Sequence, residues 1–169
     1  VILWAVRVLY LKNLRRLIKA IASIKVSSYA LHLVGDGPEK EKLEDTIKEY
    51  GAEDRIKFFP SMSHQELMAK LASATAVVLP SISDVGPNIV AEAIATFVPV
   101  IMTKESGYAE IFGDNVILID PLDEMDLRHK LEKFMKYPAE RTISKIGLDR
   151  SWTDATQDWI KLFNEICAS

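Results

Sequence analysis

Residues 79–96, LPSISDVGPNIVAEAIAT, connect the end of a short apolar run to the start of a helix. The run Ala76–Leu79 predicts a buried strand that Pro80 closes. Because proline favours the first helical turn, we expect a helix to begin near Pro87, with Gly86 as its N-cap. The N–H groups at such a helix end carry partial positive charge and bind anions, phosphates above all. The stretch therefore predicts a strand, a tight loop and an anion-binding helix N-terminus.

Two carboxylates frame this helix start, Asp84 in the loop and Glu92 inside the helix. Glu92 lies more than a turn past the N-terminus, too far in to cap it, and its neighbours are apolar. A carboxylate on a largely buried helix needs hydrogen-bond partners, and the hydroxyls of a ribose would supply them. The alternative is that Asp84 is a solvated loop acid and Glu92 a residue of the helix surface.

The composition is that of one globular domain. The chain has 169 residues, 49% of them hydrophobic and 27% charged. Its net charge of -3 argues against nucleic-acid binding. Cys167 is the only cysteine, which excludes an internal disulfide and fits a reducing, cytoplasmic compartment. Residues 1–11, VILWAVRVLYL, lack the basic region and cleavage site of a signal peptide and are too short to span a bilayer. Since the chain begins on an apparent strand without Met, we expect a fragment of a longer polypeptide.

Strand-like and helix-like stretches alternate along the chain. Strands are predicted at 1–8, 29–34, 56–59, 76–79, 98–102 and 116–119. Helices are predicted at 14–24 and 43–50, from 63, from 87, at 108–112, from 121–123, at 138–149 and from 151 or 153. This alternation predicts an α/β fold, a Rossmann-like parallel sheet of about six strands with helices on both faces. Ligands bind such sheets beyond the carboxyl ends of the strands, which makes loops 7–13, 35–38, 59–64, 80–88 and 103–108 the candidate site.

Two cations fall in the first of these loops, Arg7 and Lys12. Lys12 stands near the start of the first helix, where the helix dipole disfavours a cation. Either it is a solvated side chain on a helix rich in positive charge, or both cations hold a diphosphate together with the helix start at Pro87. Arginine can bind phosphate through two hydrogen bonds, and lysine acts as a point charge.

The sequence contains no recognisable metal or dinucleotide motif. Residues 35–38, GDGP, lack the third glycine of the dinucleotide-binding pattern. His32, His64 and His129 show no metal-ligand spacing, and His32 inside a strand is interpreted as structural. With no Asp-x-Asp pair to hold a divalent metal, we expect protein cations and the helix dipole to neutralise a bound diphosphate.

Taken together, these residues resemble the C-terminal, nucleotide-sugar-binding half of a GT-B glycosyltransferase of the large retaining family 4, or glycosyl transferases group 1. The segment from Pro80-Ser81 to Glu92-Ala93, with its paired acids, is the most specific match. The other matches follow in order: residues 4–8 with Lys12-Asn13, residues 33–38 (LVGDGP), 55–60 (RIKFFP), 98–101 (VPVI) and Ser151-Trp152.

The resemblance implies transfer of a sugar from a UDP-, GDP- or ADP-sugar to an acceptor hydroxyl, without a cofactor or metal. Residues 1–169 would be a single donor-binding domain, inactive alone. A glycan or lipid-linked acceptor would bind an absent N-terminal domain, with peripheral contact to a membrane surface. One alternative is a non-catalytic α/β domain that binds nucleotide or docks a protein through Trp152, Trp159 and Phe163. Another is a GT-B epimerase or phosphorylase.

The resemblance also implies roles for individual residues. Arg7 and Lys12 would bind the donor diphosphate and Asp84 the donor sugar, so these three would be the catalytic residues. Glu92 would contact the ribose, and loop 59–62 would border the base. The remaining donor-binding residues would be Gly35, Pro60, Val85, Gly86, Pro87, Asn88 and Ile89, with residues 86–89 offering N–H groups to phosphate.

The sequence departs from the family pattern at four places. Asp84 replaces a glutamate, and Val85 replaces the following glycine, so that Gly86 comes one place late. Val6 replaces a glycine before the first cation. Phe97 replaces a small glycine, and we expect it to narrow the junction between helix and strand.

Overall fold

The computed structural model describes residues 1–26, 28–138 and 152–167. Six strands are present in these ranges: β1 (Ile2–Ala5), β2 (Leu31–Val34), β3 (Ile56–Phe59), β4 (Ala76–Leu79), β5 (Val100–Thr103) and β6 (Ile117–Ile119). The helices are α1 (Leu14–Ser23), α2 (Lys40–Glu49), α3 (His64–Ala72), α4 (Asn88–Ala95), α5 (Tyr108–Phe112), α6 (Glu124–Lys136) and α7 (Trp152–Cys167). Short 3-10 turns occupy Tyr10–Lys12 and Gly113–Asn115.

The strands form one parallel sheet in the order β3-β2-β1-β4-β5-β6. Helix α1 packs against α2 and α6, whereas α3 packs against α4. The predicted α/β fold, a parallel sheet of six strands with helices, is confirmed. The strand order reverses between β1 and β4, and this switch point is where open α/β sheets bind ligands.

The core is built from the central strands and the inner faces of the helices. All four residues of β1, β4 and β5 are buried, as is typical of strands covered on both faces. The buried face of α1 consists of Leu14, Leu17, Ile18, Ala20 and Ile21, which recur at helical spacing.

Several element boundaries agree with the sequence-based prediction. Strands β3 and β4 have the predicted bounds. Ser63 caps α3 in the predicted capping box, since its hydroxyl accepts from Glu66 N at 3.3 Å and its own N–H donates to the Glu66 carboxylate at 2.8 Å. Gly51, just after α2, has the left-handed φ of +58° that favours glycine.

Other boundaries differ from the prediction. Strand β1 ends at Ala5, and Val8 instead donates its N–H to Asp36 O at 2.9 Å, beyond the end of β2. Strand β5 begins at Val100, because Val98 donates to Ala93 O at 2.8 Å and so still belongs to the end of α4. Strands β2 and β6 also start later, at 31 and 117. Apart from residue 138, the short helix predicted at 138–149 lies outside the described residues.

The start of α4 is one residue later than expected. The helix begins at Asn88, and Pro87, with an extended ψ of 115°, occupies the N-cap position predicted for Gly86. Proline has no polar side-chain group that could cap the helix, and the part of the chain that the structure describes shows no side-chain cap here. The helix end therefore keeps the uncapped N–H groups that the anion-site prediction needs.

The end of α4 corrects the prediction for Phe97. Its side chain is 52% exposed, so it does not narrow the junction between helix and strand. Its backbone instead adopts a left-handed φ of +57°. The family pattern would therefore have glycine at this position because glycine adopts a left-handed backbone without strain, and not because a small side chain is needed between helix and strand.

Helix α7 carries large apolar side chains that are exposed: Trp159, Ile160, Leu162, Phe163 and Ile166. The rings of Trp159 and Phe163 lie 5.9 Å apart. Among the described residues, no helix is both long and apolar enough to cross a membrane.

Candidate functional site

The candidate site lies at the switch point, where the loops after β1 and β4 meet. Ile82 donates its N–H to Leu11 O at 2.8 Å, which joins the two loops directly. Asn13, in a left-handed conformation with φ +56°, donates from its amide to Pro80 O and Pro121 O, both at 3.0 Å. Asn13 thus ties the first loop to the chain after β4 and after β6.

An ion pair between Lys12 and Asp84 occupies the centre of this junction. Lys12 Nζ lies 2.6 Å from Asp84 Oδ2, and Ser81 Oγ donates to the same oxygen at 3.1 Å. The side chains of Lys12 and Asp84 are 15% and 12% exposed, and Ser81 is fully buried. Because water has little access, this pair is screened less than an exposed salt bridge. The structure therefore brings together two of the three predicted catalytic residues.

The backbone of Asp84 is also fixed. Its N–H donates to Glu105 O and its carbonyl accepts from Gly107 N, both at 3.1 Å. Gly107 is required here, because a Cβ atom would lie 2.4 Å from Val85 O. The loop after β5, predicted as part of the site, holds the loop after β4 in place. Val85 points its side chain into solvent, so the valine that replaces glycine causes no clash.

The start of α4 lies directly after this loop. Gly86 packs closely on Tyr108, since a Cβ atom at Gly86 would lie 3.2 Å from the phenol ring. Pro87 and Ile89 are buried, whereas Asn88 is exposed. The buried Pro87 and Ile89 thus anchor the start of α4, and a helix start is where the N–H groups and the helix dipole favour an anion.

A cleft of about 410 Å³ lies at the carboxyl ends of β1 and β2. Arg7, Gly35, Ser61, Met62 and Leu67 are among its lining residues. The exposed Arg7 lines this cleft and lies in the same loop after β1 as Lys12.

Gly35 and Pro60 are the two predicted donor-binding residues next to this cleft. Gly35 has φ +138°, and a Cβ atom there would lie 2.3 Å from Val6 O, so only glycine fits. Pro60 is exposed and precedes the lining residue Ser61. Loop 59–62, which was predicted to border the base, therefore lies at a cleft. Its residues Ser61 and Met62 line this cleft, whereas Pro60 is not among the lining residues.

Glu92 has a protein partner. Its Oε1 atom lies 3.0 Å from His64 Nε2 at the start of α3, and its side chain is 25% exposed. His64 thus supplies one hydrogen bond to this partly buried carboxylate, and the contact of Glu92 with a ribose stays a prediction.

Asn13, Ser81 and His64 lie in the candidate loops, but sequence reasoning assigned none of them a role in the site. Asn13 and Ser81 stand within the quoted motifs, and the preference of asparagine for left-handed turns was an available signal. Nothing in the sequence links His64 to a residue 28 positions away.

His32 lies in β2, away from this junction, and its ring packs 4.7 Å from that of Phe59. Burial, followed by the nearby Lys70, lowers the pKa of His32 below its usual value. Within residues 1–26, 28–138 and 152–167, no group of three or more His, Cys, Asp or Glu side chains could hold a metal ion. Metal independence stays a prediction.

Residues 1–147 match the family model of glycosyl transferases group 1. The chain belongs to this family, as its motifs predicted. The fold is similar to that of sucrose-phosphate synthase from Thermosynechococcus elongatus, with a TM-score of 0.82 and 26% identity over 99% of this chain and 45% of that chain.

Two curated relatives are also similar. One is the phosphatidylinositol N-acetylglucosaminyltransferase gpi3 subunit of Schizosaccharomyces pombe, 24% identical over 96% of this chain and 37% of that protein. The other is the 2-deoxystreptamine N-acetyl-D-glucosaminyltransferase of Niallia circulans, 29% identical over 66% of this chain and 29% of that protein. The chain spans about a third of the length of the curated relatives it matches.

Proposed function

We propose that this chain is the donor-binding domain of a glycosyltransferase that moves a sugar from a nucleoside-diphosphate sugar to an acceptor hydroxyl. The observation that carries the proposal is the Lys12–Asp84 ion pair beside the uncapped start of α4, at the switch point of the sheet. This site combines cationic and acidic groups as a sugar diphosphate requires, and the relatives named above are sugar transferases.

In the proposed reaction, the bond between the anomeric carbon and the diphosphate oxygen breaks, and the acceptor oxygen forms a new bond to that carbon. The nucleoside diphosphate leaves with the electron pair, and one of its phosphate oxygens takes up the proton that the acceptor hydroxyl loses. Arg7, Lys12 and the N–H groups at the start of α4 would stabilise the charge that develops on the leaving group. Their contribution is largest in the transition state, where that charge grows.

Asp84 would accept a hydrogen bond from the donor sugar. Its Oδ2 atom is engaged by Lys12 and Ser81, so Oδ1 is the oxygen proposed to face the sugar. A lysine ammonium has three donors, and Lys12 can therefore contact a phosphate while it keeps Asp84 in place.

The acceptor, either a glycan or a lipid-linked sugar, is proposed to bind a separate N-terminal domain across a cleft. A cytoplasmic enzyme with peripheral contact to a membrane surface fits such an acceptor. UDP, GDP and ADP are the donor nucleotides to be compared, and no metal or cofactor is proposed.

The test is calorimetric titration of UDP-, GDP- and ADP-glucose into the chain and into Arg7→Ala/Lys12→Ala. The variant loses two phosphate-binding cations, so we expect at least tenfold weaker binding, or about 1.4 kcal/mol. The control is Lys25→Ala/Lys48→Ala, which removes the same amount of charge from two exposed positions. Lys25 lies just after the end of α1, and Lys48 lies in the last turn of α2. Equal binding by both double variants would overturn the phosphate assignment.

The exposed apolar face of α7 favours a second candidate, a non-catalytic interaction domain. Trp159 and Phe163 would then form part of a docking surface. This candidate predicts no nucleotide binding by the chain, and the same titration separates the two.

A further inference from the structure

We propose that His64 is a positioning residue for ribose recognition: it fixes the Glu92 carboxylate so that its second oxygen meets the ribose hydroxyls of the donor. The inference rests on the proposed function, because it assumes that Glu92 faces the ribose. It adds a residue from a different helix to the donor site.

The hydrogen bond from His64 leaves one oxygen of the Glu92 carboxylate available to a ligand. His64 Nε2 lies 3.0 Å from Glu92 Oε1. Among the described residues, no hydrogen bond reaches Glu92 Oε2. A carboxylate oxygen accepts up to two hydrogen bonds, so Oε2 can receive one or both vicinal hydroxyls of a ribose.

The side chains of His64 and Glu92 differ in exposure. This difference indicates that Glu92 is the residue that contacts the ligand and His64 the residue that positions it. Glu92 is 25% exposed and lies on α4, whose start is the proposed phosphate site. His64 is 72% exposed and reaches Glu92 from outside. An unrestrained glutamate loses side-chain freedom when it binds a ligand. Restraining it beforehand with an imidazole N–H lowers that loss and strengthens binding.

His64 is itself held at a fixed place. It is the first residue of α3, directly after the Ser63 N-cap with its capping box. One turn further on, Leu67 of the same helix lines the cleft that also contains Arg7. The start of α3 therefore connects the cleft proposed for the base with the helix proposed for the phosphates, and the ribose lies between base and phosphate in any nucleotide.

The test compares UDP with 2′,3′-dideoxy-UDP, which lacks both hydroxyls, and the GDP and ADP pairs are measured in the same way. Wild type should bind the ribonucleotide more tightly than the dideoxy analogue. His64→Ala should reduce this preference by about fivefold, as expected for the loss of one typical hydrogen bond at an exposed position. His64→Gln retains an N–H donor and should restore most of it. His129→Ala, an exposed histidine on α6, is the matched control and should leave the preference unchanged.

The outcomes separate this inference from the proposed function. If Glu92→Gln abolishes the ribose preference and His64→Ala does not, His64 has no positioning role, while the donor site stands. If Glu92→Gln leaves the preference intact, Glu92 does not face the ribose and the inference is wrong. If wild type binds none of UDP, GDP and ADP, the proposed function itself fails. In the Glu92→Gln background, His64→Ala should have no further effect.

Discussion

Among the described residues, the side-chain hydrogen bonds of Asp84 go to one oxygen, Oδ2, which accepts from both Lys12 and Ser81. Its backbone is pinned to residues 105–107 on the other side. A glutamate at this position would place its carboxylate one methylene further from a fixed backbone. The length of this side chain therefore decides how far an acidic group reaches into the proposed sugar site.

We predict that Asp84→Glu strengthens binding of a nucleotide sugar relative to the bare nucleoside diphosphate by about threefold, the effect of a modest hydrogen bond. The longer side chain would reach the sugar hydroxyls, whereas the bare diphosphate has none. Calorimetry with UDP-glucose and UDP gives the ratio, and Asp45→Glu on the exposed surface of α2 is the control. An unchanged ratio would mean that Asp84 does not face the sugar.

At the level of residues, the sequence supplied candidate side chains for the site but not their pairing. Lys12 and Asp84 were both candidates, yet they are 72 positions apart and were assigned to different parts of the ligand. Their ion pair depends on the paths of two loops, which are set by Asn13 and by the bridge between Asp84 and Ser106. Loop paths of this kind have no periodic signal in a sequence.

Among the elements, β3 and β4 were predicted at their observed bounds because each is a short run of mainly apolar residues closed by a proline. Strand β1 was predicted too long, since Val8 is buried and apolar although it lies outside the sheet. Strand β5 was predicted to begin too early because Val98 is also buried and apolar but lies before the start of the strand. An apolar pattern in the sequence indicates which residues are buried. Residues can stay buried after the hydrogen bonds between neighbouring strands have ended, so the pattern overestimates the length of a strand.

The junction of α4 and β5 gives a prediction about stability. Phe97 has a left-handed backbone, which costs a residue with a side chain about 1 kcal/mol. The free energy of unfolding of Phe97→Gly, measured by urea denaturation, should therefore be about 1 kcal/mol higher than that of Phe97→Ala. The glycine variant is expected to be the more stable of the two.

The neighbouring residue provides a control of opposite sign. Thr96 has φ -101°, a conformation that does not favour glycine. Thr96→Gly should be less stable than Thr96→Ala by about 0.4–1 kcal/mol, because glycine gains more freedom on unfolding. If glycine lowers stability at both positions, the left-handed conformation of Phe97 is not the cause.

At the scale of the whole molecule, the alternation of strands and helices predicted the parallel sheet, and the topology of the sheet indicates where the candidate site lies. The order β3-β2-β1-β4-β5-β6 brings the loops of Lys12 and Asp84 together at the switch point. Cavity size would have pointed elsewhere: a cavity of about 610 Å³ between α1 and α2 is larger than the cleft at Arg7. Its lining includes Asn13 and Glu39, the N-cap residues of α1 and α2, and mixes charges of both signs around Tyr10 and Thr46. Arg7, Lys12 and Asp84 are not among its lining residues.

The most direct test of the central claim is to map nucleotide binding on the ¹⁵N-labelled chain by amide chemical shifts during a titration with UDP, GDP or ADP. The donor-site account predicts that the largest shifts fall on Gly86, Asn88 and Ile89, with smaller ones at Gly35. The Arg7→Ala/Lys12→Ala variant should lose them. Shifts concentrated instead around Tyr10 and Thr46, in the cavity between α1 and α2, would contradict the account.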